Sequence, residues 1–177
     1  MHWDIYFSVF PCRQATEPYE KNSKNPKYPV GQYVVASFGW RSHTISDGKP
    51  IGSASMAPTL LPNFGNLPQS LALGVLGMPG NTAYFWFSRN MYAQSGETVA
   101  VTGAAGAVGS LVGQIAKIKG CKVIGLAGSD EKGKWLVDDL GFDHFINYKT
   151  ADIDKALTEV APEGVDCYFD NVSVIYL

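Results

Sequence analysis

Val99-Ala100-Val101-Thr102-Gly103-Ala104-Ala105-Gly106-Ala107-Val108-Gly109 is the stretch that decides how this chain folds. An apolar, β-prone run feeds a turn of glycine and alanine, and a helical period starts directly after it. Strand, small-residue turn and helix in that order make a nucleotide phosphate site. The backbone can approach a pyrophosphate, and the new helix offers it free N–H groups and the positive end of a dipole. Ala104 stands where the commonest fingerprint has its first glycine, so the motif reads AxGxxG, or GxxGxxG counted from Gly103. The alternative is an ordinary strand-helix-strand unit with a small turn and no ligand.

Working outward, Val108, Leu111, Val112, Ile115 and Ile118 recur at offsets of three and four and give the helix one apolar face. Gly109 and Gly113 are expected to let that helix sit close to the preceding strand, and Gly120 suits a left-handed cap. Cys121 to Ala127 reads as a short buried strand ending at Gly128. His144 to Tyr148 reads as a third strand, and Val165 to Val172 as a fourth. Between them Ile153, Ala156, Leu157 and Val160 form a helical stripe that stops near Pro162 and Gly164. This alternation implies an α/β fold, a doubly wound parallel sheet with helices on both faces.

The tip of the second strand bears on the nucleotide. An NAD site usually has an acidic residue there to accept the ribose hydroxyls, whereas this chain has Gly128-Ser129. A 2′-phosphate would therefore meet no carboxylate at the strand tip, and Lys132, one helical turn on, can pair with it. Tyr148 can add a hydroxyl or cover the adenine. These residues favour NADP over NAD; the plainer alternative leaves Lys132 as a solvated lysine and Asp130 and Glu131 as helix N-terminal acids. Asn171, at the end of the fourth strand, either reaches the nicotinamide half of a dinucleotide or satisfies its own turn.

From Gly31 to Asp170 the chain resembles the zinc-independent medium-chain dehydrogenase/reductases. The resemblance is to the branch of prostaglandin reductases, leukotriene B4 12-hydroxydehydrogenases and NADP-dependent alkenal reductases. It is carried by Gly39 to Gly48 (GWRSHTISDG), Leu73 to Phe85 (LGVLGMPGNTAYF), Gly103 to Gly109, Gly128 to Lys132 (GSDEK) and Tyr168 to Val172 (YFDNV). Their order along the chain is more specific than any one of them. The resemblance implies that Gly106, Ala107, Val108 and Gly109 hold the pyrophosphate, Lys132 and Tyr148 the adenosine phosphate end, with Asn171 and Thr82 near the nicotinamide. It also implies hydride delivery from NADPH to the β-carbon of an enone or enal, with 15-oxo-prostaglandins and other lipid-derived carbonyls as the substrate class. A quinone reductase, and a nucleotide-binding fragment without catalysis, are the alternative functions.

Hydride attack at a β-carbon pushes charge onto the carbonyl oxygen, where one hydrogen-bond donor is typically worth about 3 kcal/mol. In the family a tyrosine is assigned near that oxygen, and no residue here matches it. Tyr84 and Tyr92, beside Phe85, Trp86 and Phe87, read by default as core or domain-junction packing. No catalytic residue is assigned.

The family pattern continues with two glycines after Val172, whereas this chain reads Ser173-Val174-Ile175-Tyr176-Leu177. Four strands, where the doubly wound fold uses six, make the expected domain a partial Rossmann domain over 76–177. Residues 31–75 fit a remnant of a GroES-like β domain, with Gln32 to Phe38 as a strand and Pro50 to Pro68 as irregular loop. Residues 1–30 form an atypical leading segment.

A hydrophobic fraction of 46% over 177 residues suits a packed core, and pieces of two domains would leave apolar surface that favours a homo-oligomer. The net charge of −2 gives no reason to expect nucleic acid or an acidic membrane surface. Ile5 to Phe10 is too short for a membrane span and lacks the basic flank of a signal peptide. Cys12, Cys121 and Cys167 are scattered and odd in number, and His2, His43 and His144 have no partners at ligand spacing. Neither a disulfide framework nor a zinc site is expected. Reduced thiols and NADPH together point to the cytoplasm.

Overall fold

The computed structural model describes residues 15–18, 25–36, 44–50 and 57–171. The Gly39 to His43 part of the first family motif, Ser37 and Phe38, Val172, Cys12, His2 and the stretch Ile5 to Phe10 lie outside these residues. The chain divides into two compact units, Met1–Met78 and Pro79–Leu177.

In the first unit, strands β1 (Ala15–Pro18), β2 (Tyr33–Ala36) and β3 (Thr59–Leu60) form an antiparallel sheet in that order. β2 alternates half-buried with buried residues, the period-two pattern of a sheet with one covered face. Val34 and Ala36 pack with Tyr28, whose ring is fully buried and whose hydroxyl donates to the Pro58 carbonyl at 2.9 Å. That bond lets a tyrosine fill a core without stranding its hydroxyl. β3 falls inside 50–68, which the sequence suggests is wholly irregular. It is only two residues long, and its pairing with Val34 and Val35 rather than local propensity makes it a strand. A five-residue 3-10 helix, Gln69–Leu73, follows.

Helix α1 (Met78–Trp86) starts on the last residue of the first unit, belongs otherwise to the second, and runs into a π-helical turn at Phe87–Met91. Then come β4 (Thr98–Val101), α2 (Gly109–Ile118), β5 (Lys122–Ala127), α3 (Asp130–Asp138), β6 (His144–Asn147), α4 (Ile153–Val160) and β7 (Cys167–Phe169). The four strands are parallel in the order β6-β5-β4-β7. The chain builds outward from β4 to β6, then returns to add β7 on the other side of β4. The α/β doubly wound reading holds, and the switch point lies between β4 and β7.

Alternation along the strands sets the two faces. Val99 and Val101 of β4 point to the layer that holds Val112 and Ala116 of α2, Leu136 of α3, and Ala83 and Phe87. Ala100, Ile124, Leu126 and Ile146 face α4, whose stripe Ile153, Ala156, Leu157 and Val160 covers them. Each large apolar side chain buried this way contributes about 1.5–3 kcal/mol.

α2 ends as expected. Gly120 takes φ +83°, its N–H donates to the Lys117 carbonyl, and the Cys121 N–H reaches back to Ala116. Gly113 serves a different purpose from the expected one. A Cβ there would lie 1.9 Å from Cζ of Phe142, so the missing side chain makes room for that ring rather than for the preceding strand.

Candidate functional site

The turn after β4 is held from both sides. Gly103 adopts φ +53°, its carbonyl accepts the Gly106 N–H at 2.8 Å, and the Ala104 N–H donates to Leu126 of β5 at 3.1 Å. A Cβ on Gly106 would lie 3.0 Å from the Gly103 carbonyl oxygen, and one on Gly109 only 2.5 Å from it. Side chains at these positions would close the turn. α2 starts at Gly109, and no side chain caps its N-terminus at Val108. An uncapped helix end above a turn whose Gly103, Gly106 and Gly109 carry no side chain has the shape and the dipole that a pyrophosphate needs. Gly106, Ala107, Val108 and Gly109 fit that group.

Beyond β5 the strand tip is Gly128, and Ser129 caps α3 by accepting the Lys132 N–H at 3.3 Å. This cap fixes the first turn of α3, and the Lys132 side chain stands exposed on it with no ion pair among the described residues. A Cβ on Gly128 would come within 2.6 Å of the Tyr148 hydroxyl and 3.2 Å of Lys149 Cε. Tyr148 therefore lies over the strand tip, and the glycine is what lets it do so. Lys149 was not singled out by the sequence, although its place directly after Tyr148 at the end of β6 is a usable signal.

On the other side of β4, Thr102 ties the two central strands together. Its hydroxyl lies 3.1 Å from Asp170 Oδ1 and 3.3 Å from the Phe169 carbonyl, and it accepts the Asn171 N–H at 2.9 Å. Thr102 is fully buried, so these partners satisfy a hydroxyl that solvent does not reach. Asn171 and Thr82 line one cleft of about 580 Å³ together with Trp86, Asn90, Tyr168 and Asp170. The Asn171 amide nitrogen lies 3.8 Å from the Cβ position of Gly106, which brings this cleft to the edge of the glycine turn.

Tyr168 is a cleft residue that sequence reasoning passed over. Burial pushes its phenol pKa up, the hydrogen bond with Thr102 works against that, and the Asp170 carboxylate adds to the rise. It is a protonated hydroxyl at neutral pH. Tyr84 and Tyr92 correct one half of the sequence reading, core or domain-junction packing: at 58% and 68% exposed they do not lie in a core. Phe85 and Trp86 are exposed too, and of that aromatic run only Phe87 is buried. The run belongs to one helical turn after another, so its members cannot all face the sheet.

Cys121 and Cys167 are free thiols that donate to the Gln94 and Met91 carbonyls. Burial raises both pKa values and the Glu97 carboxylate raises them further, which favours the thiol form at neutral pH. Among the described residues no cluster of His, Cys, Asp and Glu is placed to hold a metal, and no helix is long and apolar enough to cross a membrane.

Residues 107–176 match the zinc-binding dehydrogenase family. Prostaglandin reductase 1 of Bos taurus is 54% identical over 151 residues, 85% of this chain and 44% of its own length. The (+)-pulegone reductase of Mentha piperita is 44% identical over 85% of this chain and 43% of its own. The crystal structure of CurA from Vibrio vulnificus in complex with NADPH superposes with a TM-score of 0.76 at 35% identity, over 98% of this chain and 55% of that one. Over the residues it shares with them, the chain is similar to these reductases. It spans a little over two fifths of the length of the curated relatives it matches. The first four strands of the doubly wound order account for the sheet seen here.

Proposed function

We propose that this chain carries the NADP-binding part of a reductase that saturates the conjugated double bond of enones and enals. The observation that carries the proposal is the layout around β4. An open helix N-terminus above the Gly103 to Gly109 turn lies at the centre, with Lys132 and Tyr148 beyond β5 and Thr82 and Asn171 beside β7. A dinucleotide needs such a series: a cation and a ring cover at one end, backbone N–H groups in the middle, and an amide at the other. The relatives' names supply the reaction class, since prostaglandin reductase 1, pulegone reductase and a curcumin reductase all name reductions of carbonyl compounds.

In this reading the backbone N–H groups of Ala107, Val108 and Gly109 take the pyrophosphate charge, and the dipole of α2 favours it. Lys132 offers its ammonium to the 2′-phosphate, as a charge-assisted contact that NAD cannot make. Tyr148 covers the adenosine side, while Asn171 and Thr82 orient the carboxamide end. NADPH, when bound, supplies the hydride. A protonated hydroxyl near the reacting carbonyl then has to stabilise the developing enolate, and Tyr168, a protonated phenol that lines the cleft with Asn171, is the residue proposed for it. The proposed substrates are lipid-derived carbonyls, including 15-oxo-prostaglandins. Zinc-independent chemistry, a role in lipid metabolism and a cytoplasmic setting complete the proposal.

The test is isotopic. Protein, a 2-alkenal and NADPH carrying deuterium at the transferable position should give a saturated aldehyde labelled at the β-carbon, read by mass spectrometry. Label at the carbonyl carbon would make the protein a carbonyl reductase and overturn the proposal.

A further inference from the structure

One contact at the adenosine end belongs to none of the residues assigned so far. The Asn147 side-chain amide donates to Asp130 Oδ1 at 2.7 Å, joining the last residue of β6 to the first residue of α3. The same Asn147 accepts the Lys149 N–H on its Oδ1 at 3.2 Å, and its backbone carbonyl accepts the N–H groups of Thr150 at 3.1 Å and Ala151 at 2.9 Å. A single residue therefore shapes the turn that carries Tyr148 and Lys149 and also holds the carboxylate that begins α3.

That carboxylate is in an awkward place. Asp130 sits between Ser129, the cap of α3, and Lys132, the one exposed ammonium on its first turn. A carboxylate there is welcome to the helix dipole but opposes a phosphate dianion arriving at the same turn. Whether it interferes depends on which way it is held. The 2.7 Å bond to Asn147 holds it toward the end of β6.

We propose that Asn147 is a positioning residue for cofactor choice: by anchoring Asp130 toward β6 it keeps a negative charge off the 2′-phosphate, and it thereby permits NADP at a turn that contains an acid. The inference rests on the proposed nucleotide site. It adds to Lys132 a second determinant that acts through another side chain and touches no ligand itself.

Two small probes separate this role from a structural one: 2′,5′-ADP, which carries the phosphate, and 5′-AMP, which lacks it. Calorimetric titration of the parent chain should show tighter binding of 2′,5′-ADP; equal binding of the two, or none, would overturn the site reading itself, whatever Asn147 does. With that preference present, Asn147→Leu should weaken 2′,5′-ADP about fivefold, the size expected for one charge near a dianion in a wet site, and leave 5′-AMP within twofold. Adding Asp130→Asn to that variant should restore 2′,5′-ADP binding, because the freed side chain then carries no charge. Equal weakening of both probes, or no restoration in the double variant, would overturn the proposal and leave Asn147 as a turn residue. Asn147→Ser, too short to reach Asp130, supplies the same comparison if the leucine variant does not fold.

Discussion

The hydroxyl of Thr102 accepts the backbone N–H of Asn171 at 2.9 Å, so the end of β7 is tied to the end of β4 across the switch point of the sheet. Thr102→Val keeps the shape and removes that acceptor. Leaving the N–H of Asn171 without its partner should cost about 1–2 kcal/mol in urea unfolding. NADPH affinity should fall while 2′,5′-ADP affinity holds, because Asn171 lies on the far side of β4 from the adenosine end.

Lys132→Ala tests the assigned cation. Loss of a charge-assisted contact with a phosphate should lower NADPH affinity by about tenfold and leave NADH affinity unchanged. An unchanged NADPH to NADH ratio, measured by nucleotide fluorescence, would return Lys132 to the solvated lysines.

Gly113→Ala sets two effects against each other. Alanine is the better helix former by about 1 kcal/mol, but its Cβ would lie 1.9 Å from the Phe142 ring. Overpacking of this kind costs about 1–3 kcal/mol and should win, lowering the melting temperature. Phe142→Leu in the same chain should return part of the loss.

Asp143 gives the fold a pH dependence. Burial alone would push its carboxyl up, but hydrogen bonds from the Lys117 ammonium and the Val123 N–H, with the charges of Lys117 and His144, bring the net pKa below 3.8. A group depressed on folding contributes stability above its unfolded pKa and loses it as pH falls through the folded one. Stability should therefore drop below about pH 4, and Asp143→Asn should flatten that limb of the curve. Both partners are about one-third exposed, so solvent screening keeps the loss in that variant at neutral pH near about 1 kcal/mol.

What could be read in the sequence was what is local and periodic. The run Val99 to Val101, the glycines after it and the stripe of α2 each announce themselves within one element, and so does Gly120 as its stop. β1 and β3 do not, since Ala15–Pro18 and Thr59–Leu60 become strands only by pairing with β2. α1 carries Pro79 and Gly80 in its first turn and no clear apolar stripe, which hid both the helix and the exposure of Tyr84 and Trp86. At the site, the glycine turn and the first turn of α3 with Lys132 could be read because their spacing is fixed by short-range geometry, whereas the Ser129 cap was not read. Thr102 with Asn171 and Asn147 with Asp130 were not, because each pair joins the ends of different strands and helices that only the folded sheet brings together.

The central claim is that the Gly103 to Gly109 turn and Lys132 make an NADP site. Fluorescence titration of the purified chain with NADPH, with NADH as the comparison, tests it most directly. The account predicts saturable NADPH binding, with NADH weaker by about tenfold. No saturable binding of NADPH, or equal binding of the two nucleotides, would contradict it.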